Sequence, residues 1–532
     1  MDARGAPNAL VRSRIGLAAG LCAAAFSVIV ARLVEVMVFG ASVAGVVATE
    51  PSRQPARADF VDRNGVLIAR DLPVSDLYAS PAVFWDVDEA ANGLAKVTGA
   101  DAKRLKELFV EKRGYVLVRR GLSPDVRDGV MRLGLPGLTF EKSYRRYYPS
   151  GRILSHAVGQ VDPDDNGVSG LELGLDKQVR GLDKPLELSF DMRVQYVLEH
   201  EMRETVRAFN AKAAGGIVLD VNTGEVVALA SLPNYEPNSR SMVTGDSIRN
   251  RLTQDVYELG SIFKIFAFAQ AIEEKTVSLS ESINIAKPLK FGRHTINDFD
   301  NHGSILPVPM VFAESSNIGT AQIALRAGPT RQQAFLRRMG LLDSLKTELP
   351  EMASPLYPRR WNEVETVTIS YGQGISVNPL AFAAAAAAAV NGGTLIHPTF
   401  LKNPTPQKGE RVISEATSQS MRELMRLVVT HGTGRKADVP GYEVGGKTGT
   451  ADKPLNGSYG RHLLVSSFAG VFPISQPQYL VFVMIDEPKG NKASFGFATG
   501  GWTAAPAVGR VISRIAPLLG VRRNDTFAAA NP

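Results

Sequence analysis

The chain has 532 residues, 44% of them hydrophobic and 21% charged, which is too long for one ordinary core and is the composition of a folded protein of two or three domains. Lys and Arg number 60 against 53 Asp and Glu, a net charge of +7; the basic residues form no run of five or more, so the balance carries no nucleic-acid signature and fits mild attraction to an anionic surface or polymer. The single cysteine, Cys22, excludes an intramolecular disulfide and any cysteine-based metal cluster, and its apolar surroundings make it a small hydrophobe.

Taken in chain order, the first element is an apolar run. Residues 15–31, IGLAAGLCAAAFSVIVA, carry no charge, and beyond Arg32 and Glu35 the sequence stays apolar through Phe39. As a helix, 15–31 spans about 26 Å and the longer run more, enough for one crossing of a hydrocarbon core of about 30 Å. Arg4, Arg12 and Arg14 precede it, which predicts a cytoplasmic tail over 1–14 and an extracytoplasmic remainder. A cleaved signal peptide competes, with Ala44 and Ala48 as small residues for cleavage. The length of the stretch favours an uncleaved single-pass anchor over 15–39.

Residues 40–57, with ATEPSRQPARAD, read as a polar linker. From 58 to 180 short alternating segments are broken by turn signals. In FVDRNGVLIA, Asn64-Gly65 sits between apolar residues as a hairpin turn does. In GYVLVRRGL, Tyr115, Leu117 and Arg119 alternate with Val116, Val118 and Arg120. The region is expected to be an elongated, strand-rich module, with the second domain over 181–522 and a tail over 523–532.

The second domain opens with Val194, Leu198, Met202 and Val206 four apart and Phe209 three further, an amphipathic helix. GGIVLDVNTGEVVALAS follows as two strands turning around Asn222, Thr223 and Gly224. Near the other end, SSFAGVFPI and YLVFVMIDEP make a second pair, turning at Ser475 to Gln478, and TAAPAVGRVISRIAPLLG closes as a helix. The alanine run at 380–390 reads as a buried helix. The fold class is therefore α+β, with one antiparallel sheet assembled from both ends of the domain and flanked by helices.

Cofactor and metal chemistry finds little support. The seven histidines are scattered, and His200-Glu201 lacks a second histidine four residues on, so neither a metal nor a cofactor is expected. GYEVGGKT, Gly441 to Thr448, matches the phosphate-loop pattern literally. That loop works only between a buried strand and a helix N-terminus, and the flanks GRKADVP and GTADKPLNG supply neither.

Lys447 gains meaning beside a second stretch, YELGSIFKIF. Lys264 there is either a lysine snorkelling from an apolar surface or the base of a nucleophile, Ser261, that shares its helix face. Ser-x-x-Lys occurs once, at Ser261 to Lys264, and Lys-Thr-Gly once, at Lys447 to Gly449. Ser-x-Asn occurs at Ser282 to Asn284, with no glycine or small-residue context, and at Ser315 to Asn317, where ESSNIGTAQIAL continues as an apolar helix. The second is the better candidate, and Ser282 reads as surface.

The ordered set is the signature of penicillin-recognising serine acyltransferases. A serine hydroxyl is a weak nucleophile until a base takes its proton. Lys264 can do so if apolar neighbours such as Phe263 and Phe266, and a second cation, Lys447, depress its pKa. Lys447 with the hydroxyls of Thr448 and Thr450 would hold a substrate carboxylate, and the backbone N–H groups of Ser261 and Thr450 would form the oxyanion hole.

Beyond these triplets the chain resembles the class B penicillin-binding proteins, monofunctional peptidoglycan D,D-transpeptidases, over nearly all its length. FVDRNG looks like the family's pedestal motif; RRYYPSGRILSHAVGQV (145–161) and GLELGLD (170–176) look like its linker motifs; LPNYEPN (232–238), SYGQGISVNPLA (370–381) and GGWTAAPAVGRV (500–511) look like transpeptidase motifs. The compact pedestal, ESSNIGTAQIAL and VFVMIDEPKG look most like the branch of cell division, the FtsI type. The resemblance implies that Ser261 is acylated by the penultimate D-alanine of a stem peptide, with Lys264 as base, Ser315 as proton relay and Asn317 holding the substrate backbone. Lys447, Thr448, Gly449 and Thr450 would bind the D-Ala-D-Ala terminus. It further implies covalent inhibition by β-lactams, a place in the inner membrane at the division septum, and partnership with an FtsW-type glycosyltransferase and other divisome membrane proteins. An elongation-type transpeptidase is the near alternative and an anchored β-lactam sensor the farther one. Two positions depart from the family pattern: Leu259 stands where a proline is common, and Glu236 where an aspartate is.

Overall fold

Helix caps and side-chain alternation account for most of the elements. The computed structural model describes residues 16–31, 56–239, 245–291, 294–403, 408–455 and 458–524. The chain divides into two units, Met1–Pro55 and Ala56–Pro532. In the first, a helix over 16–31 is exposed along its length; at 1.5 Å per residue it is about 24 Å long. Among the described residues no helix is long and apolar enough to cross a membrane, and the rest of the expected anchor, the tail 1–14 and the linker up to 55 lie outside them.

The second unit begins with strands β1 (Phe60–Val61) and β2 (Leu67–Ala79), an antiparallel pair. Their turn is organised by Asp62 as much as by Asn64-Gly65: its carboxylate accepts from the N–H groups of Asn64 and Val66, both at 2.8 Å, while Gly65 takes φ +84°. β3 (Val116–Leu122) and β4 (Leu138–Tyr147) pair with β2 on its two edges.

The expectation of a strand-rich module needs correction, because helices make up much of it, the longest being α1 (Val87–Thr98), α2 (Ala102–Glu111) and α3 (Pro124–Met131). Asp86 and Asp101 are N-caps, accepting from Asp88 and Glu89 and from Arg104. Ala91, Leu94, Leu105 and Phe109 bury against Leu77, Val116 and Leu122 to form a small core. At the other end of β2 and β4 lies a buried ionic group: Glu172 accepts from Arg57 Nε (3.0 Å) and Arg146 Nε (2.7 Å), all three side chains with no exposed area.

Asp62 also accepts from the N–H of Met192 at 3.0 Å, which fastens the β1–β2 turn to the start of α4 (Met192–Ala208), the first helix of the larger domain. There β6 (Ala213–Asp220), β7 (Val226–Leu232), β8 (Gly445–Leu455), β9 (Ser458–Phe472) and β10 (Tyr479–Asp486) form one antiparallel sheet in the order β8-β9-β10-β6-β7, following the short β5 (Leu186–Glu187) that pairs with β1. The sheet is built from both ends of the domain, as the sequence indicates. Alternate residues serve opposite faces. Val481, Val483 and Ile485 join Val194, Leu198 and Ile512, whereas Leu480, Phe482 and Met484 join Phe266 and Phe382. The first face is covered by α4 and by a helix at Ala504–Leu518; the second includes the alanine helix Pro379–Ala388, every residue of it buried and Asn378 its N-cap.

Candidate active site

Ser261 and Lys264 sit where a single 3-10 turn, Gly260–Phe263, passes into α5 (Lys264–Glu273). A 3-10 turn has three residues per turn, so positions 261 and 264 stack one above the other. Gly260 is required there. It takes φ +61°, and a Cβ on it would lie 2.4 Å from the carbonyl oxygen of Thr450. Gly449 is equally close, since its Cβ would lie 2.4 Å from the carbonyl oxygen of Leu259. The nucleophile turn and β8 therefore touch backbone to backbone, with Gly260, the residue before Ser261, against Thr450. Leu259, whose choice over proline the sequence leaves unexplained, is a core residue: its side chain is fully buried, and its φ of −96° lies outside proline's range.

Lys264 and Lys447 are both wholly buried. Lys264 Nζ donates to Ser315 Oγ at 3.0 Å, to Asn317 Oδ1 at 2.8 Å and to the Ser315 carbonyl. Lys447 Nζ donates to the same Ser315 Oγ at 3.0 Å. Burial, then the neighbouring Lys447 charge, drives the Lys264 pKa well below its ordinary value, against a weaker opposing pull from Asp298. Burial alone lowers Lys447 to about 7. Ser261 is half-buried, and among the described residues its hydroxyl makes no hydrogen bond, to Lys264 or to any other group. An ammonium has three N–H donors and Lys264 meets three acceptors; as a neutral amine it keeps two and presents a lone pair.

The remaining candidates fall into place around this pair. Ser315 follows α6 (Val308–Ala313) at φ +65°, and Asn317 opens α7 (Asn317–Ala327), whose N-cap Ser316 accepts from the Gly319 N–H. Thr448 Oγ1 lies 2.6 Å from Thr433 Oγ1, and Thr450 Oγ1 accepts from the Gly500 N–H at 3.1 Å. Ser282 is exposed on a small strand apart from the group. The phosphate-loop match fails in the structure as in the sequence, because Lys447 and Thr448 lie inside β8, and the next element among the described residues is the strand β9. Sequence reasoning missed Thr433, in the glycine-flanked loop HGTG after the helix Glu415–Thr430, and Asp298, which accepts from Ser316 Oγ at 2.7 Å.

Comparison with known proteins identifies both domains. The penicillin binding protein transpeptidase domain matches residues 214–510, and the penicillin-binding protein dimerisation domain matches 52–205. The probable peptidoglycan D,D-transpeptidase FtsI of Caulobacter vibrioides is 44% identical over 485 residues, 88% of this chain and 82% of that one. The peptidoglycan D,D-transpeptidase FtsI of Escherichia coli K12 is 30% identical, covering 86% and 83%. Among solved structures, penicillin binding protein 3 from Mycobacterium tuberculosis, complexed with ampicillin, superposes with a TM-score of 0.70 at 25% identity over 89% of this chain and 97% of that one. Two family domains matched in series, and relatives 30% and 44% identical along most of the chain, establish that it belongs to the class B penicillin-binding protein transpeptidases of the FtsI type.

Proposed function

We propose that the chain is a septal peptidoglycan D,D-transpeptidase of cell division. The observation that carries the chemistry is the buried pair Lys264 and Lys447 converging on Ser315 beside the turn that bears Ser261. Neutral Lys264 takes the Ser261 hydroxyl proton as Oγ attacks the carbonyl of the penultimate D-alanine. The N–H groups of Ser261 and Thr450 stabilise the oxyanion. The peptide bond then breaks, and the proton passes by way of Ser315 to the nitrogen of the departing D-alanine. The ester on Ser261 is attacked by the amine of a neighbouring stem peptide, which forms the cross-link and returns the serine hydroxyl. Lys447, Thr448 and Thr450, with Gly449 letting the backbone approach, hold the terminal carboxylate, and Asn317 orients the substrate backbone. A β-lactam acylates Ser261 by the same attack, its ring amide opening in place of the peptide.

The apolar run with Arg4, Arg12 and Arg14 before it supports an anchor over 15–39 in the inner membrane, with the N-terminus cytoplasmic, the pedestal (58–180) and the transpeptidase domain (181–522) outside. An FtsW-type glycosyltransferase and other divisome membrane proteins are the partners in this reading, and the FtsI naming of the relatives supports the septal role. Labelling with a fluorescent penicillin tests the mechanism: wild type is expected to label and Ser261→Ala to stay blank, and undiminished labelling of the variant would sink it. Depletion in cells is expected to give filaments; rounded cells would point to an elongation enzyme.

A further inference from the structure

Asp298 lies between the short strands His294–Ile296 and Ile305–Pro307, outside every motif of the active-site set. Its carboxylate gathers three donors from one short segment: Ser316 Oγ at 2.7 Å, the Asn317 N–H, and the Ile318 N–H at 2.9 Å. Those N–H groups open α7, where unsatisfied donors and the helix dipole favour an anion. The adjacent Asn297 carbonyl accepts from Asn317 Nδ2 at 3.2 Å, which turns Oδ1 of that amide toward Lys264.

The residue just before this clamp is strained. Ser315, at φ +65°, occupies a region that side-chain-bearing residues rarely adopt. It persists when both flanks are fixed. On one side the end of α6 holds it, Ser315 N–H donating to the Phe312 carbonyl and Ser316 N–H to that of Val311. On the other side stands Asp298.

We propose that Asp298 is a positioning residue that clamps the start of α7, so that Ser315 Oγ and Asn317 Oδ1 stay in register with the two buried lysines. The inference rests on the transpeptidase reading above. Asp298 also acts through its field. The charged groups facing Lys264 are Lys447, which opposes its protonation, and Asp298, which favours it. Removing the Asp298 charge therefore lowers the pH at which Lys264 becomes a free base.

The test measures the rate of acylation by a fluorescent penicillin against pH, on the full chain, for wild type, Asp298→Asn, Asp298→Glu and Ser261→Ala. Asp298→Asn is expected to lower the plateau rate about tenfold to a hundredfold, in line with losing hydrogen bonds to a charged group, and to move the acid limb to lower pH. Asp298→Glu keeps the charge, so its acid limb should stay with wild type while its plateau falls less; it also serves if the amide variant does not fold. Wild-type rate and limb in Asp298→Asn would overturn the proposal. So would a slower rate with an unmoved limb, which is what loosened structure alone gives. Labelling that survives in Ser261→Ala would instead overturn the reading beneath it, so the two failures are separable.

Discussion

Lys264 and Lys447 share one acceptor: each Nζ lies 3.0 Å from the hydroxyl oxygen of Ser315. Two amines buried from water and joined through one oxygen cannot both keep a full charge cheaply, because burial penalises each cation and each penalises the other. The arrangement separates their roles. Lys264 is pushed furthest toward the neutral amine, and Lys447, lowered to about 7, is the one that in the proposed mechanism meets the incoming carboxylate as a cation.

Ser315 is thus the hinge of the site, and two variants separate its hydroxyl from its backbone. Ser315→Ala and Ser315→Gly both remove the shared acceptor and are expected to slow penicillin acylation about a hundredfold or more, the scale of a lost proton-transfer group. Glycine alone relieves the strain at φ +65°, so Ser315→Gly should melt higher than Ser315→Ala. Equal acylation rates with that order of melting temperatures would confirm that hydroxyl and strain are independent. Wild-type acylation in either variant would remove Ser315 from the mechanism.

The Lys447 charge predicts a pH dependence. Its pKa in the free protein is lowered to about 7, so the ammonium is present below that pH and lost as pH rises through it. A carboxylate ligand that needs the ammonium should therefore show kcat/KM falling from near neutrality upward. Because the bound carboxylate restores the lysine's proton affinity, kcat should fall only at higher pH. An uncharged ester of the same ligand should lose this limb, and stopped-flow acylation of the acid and ester forms measures the difference.

Gly260→Ala is expected to be severe for its size. The methyl group would meet the Thr450 carbonyl at 2.4 Å, in a backbone conformation that alanine avoids. Moving the turn away would also part Ser261 from β8 and open the proposed oxyanion hole. The expected result is a stability loss of at least about 1–2 kcal/mol with acylation reduced further than stability explains. Thermal melting and penicillin labelling at a temperature where the variant is folded measure the two parts.

What the sequence made legible follows the range of the interactions. Ser261 and Lys264 are three apart and Ser315 and Asn317 two apart, so local geometry alone makes them readable. Four strands of the sheet, β6, β7, β9 and β10, were readable from their apolar runs at both ends of the domain, whereas β8, GGKTGTADKPL, carries no such run and was not. Asp298 and Thr433 were not, since each reaches its partner only when distant segments close, Asp298 onto the start of α7 and Thr433 onto β8. The helices α1 and α2 carried local signals, with Asp86 and Asp101 as caps and Leu105 and Phe109 four apart, but turn residues between short segments outweighed them. Leu259 is explained only by burial, a property no pattern around it expresses.

Glu172 gives the last prediction, set far along the chain from the catalytic motifs. It has no exposed area and accepts from Arg57 and Arg146, whose side chains are equally hidden. Removing one partner from such a group leaves buried charge uncompensated, at a cost of about 3–5 kcal/mol. Glu172→Ala should approach that figure, moderated because Arg57 retains Asp176 and Arg146 retains Asp71. Glu172→Gln keeps the shape and one acceptor and should cost less. None of these partners belongs to the group around Ser261, so the acylation rate of folded protein should stay within a few fold of wild type. Denaturant unfolding beside penicillin labelling makes the comparison, and a large fall in acylation without a fall in stability would show that this ionic group acts on the active site and does more than hold the fold.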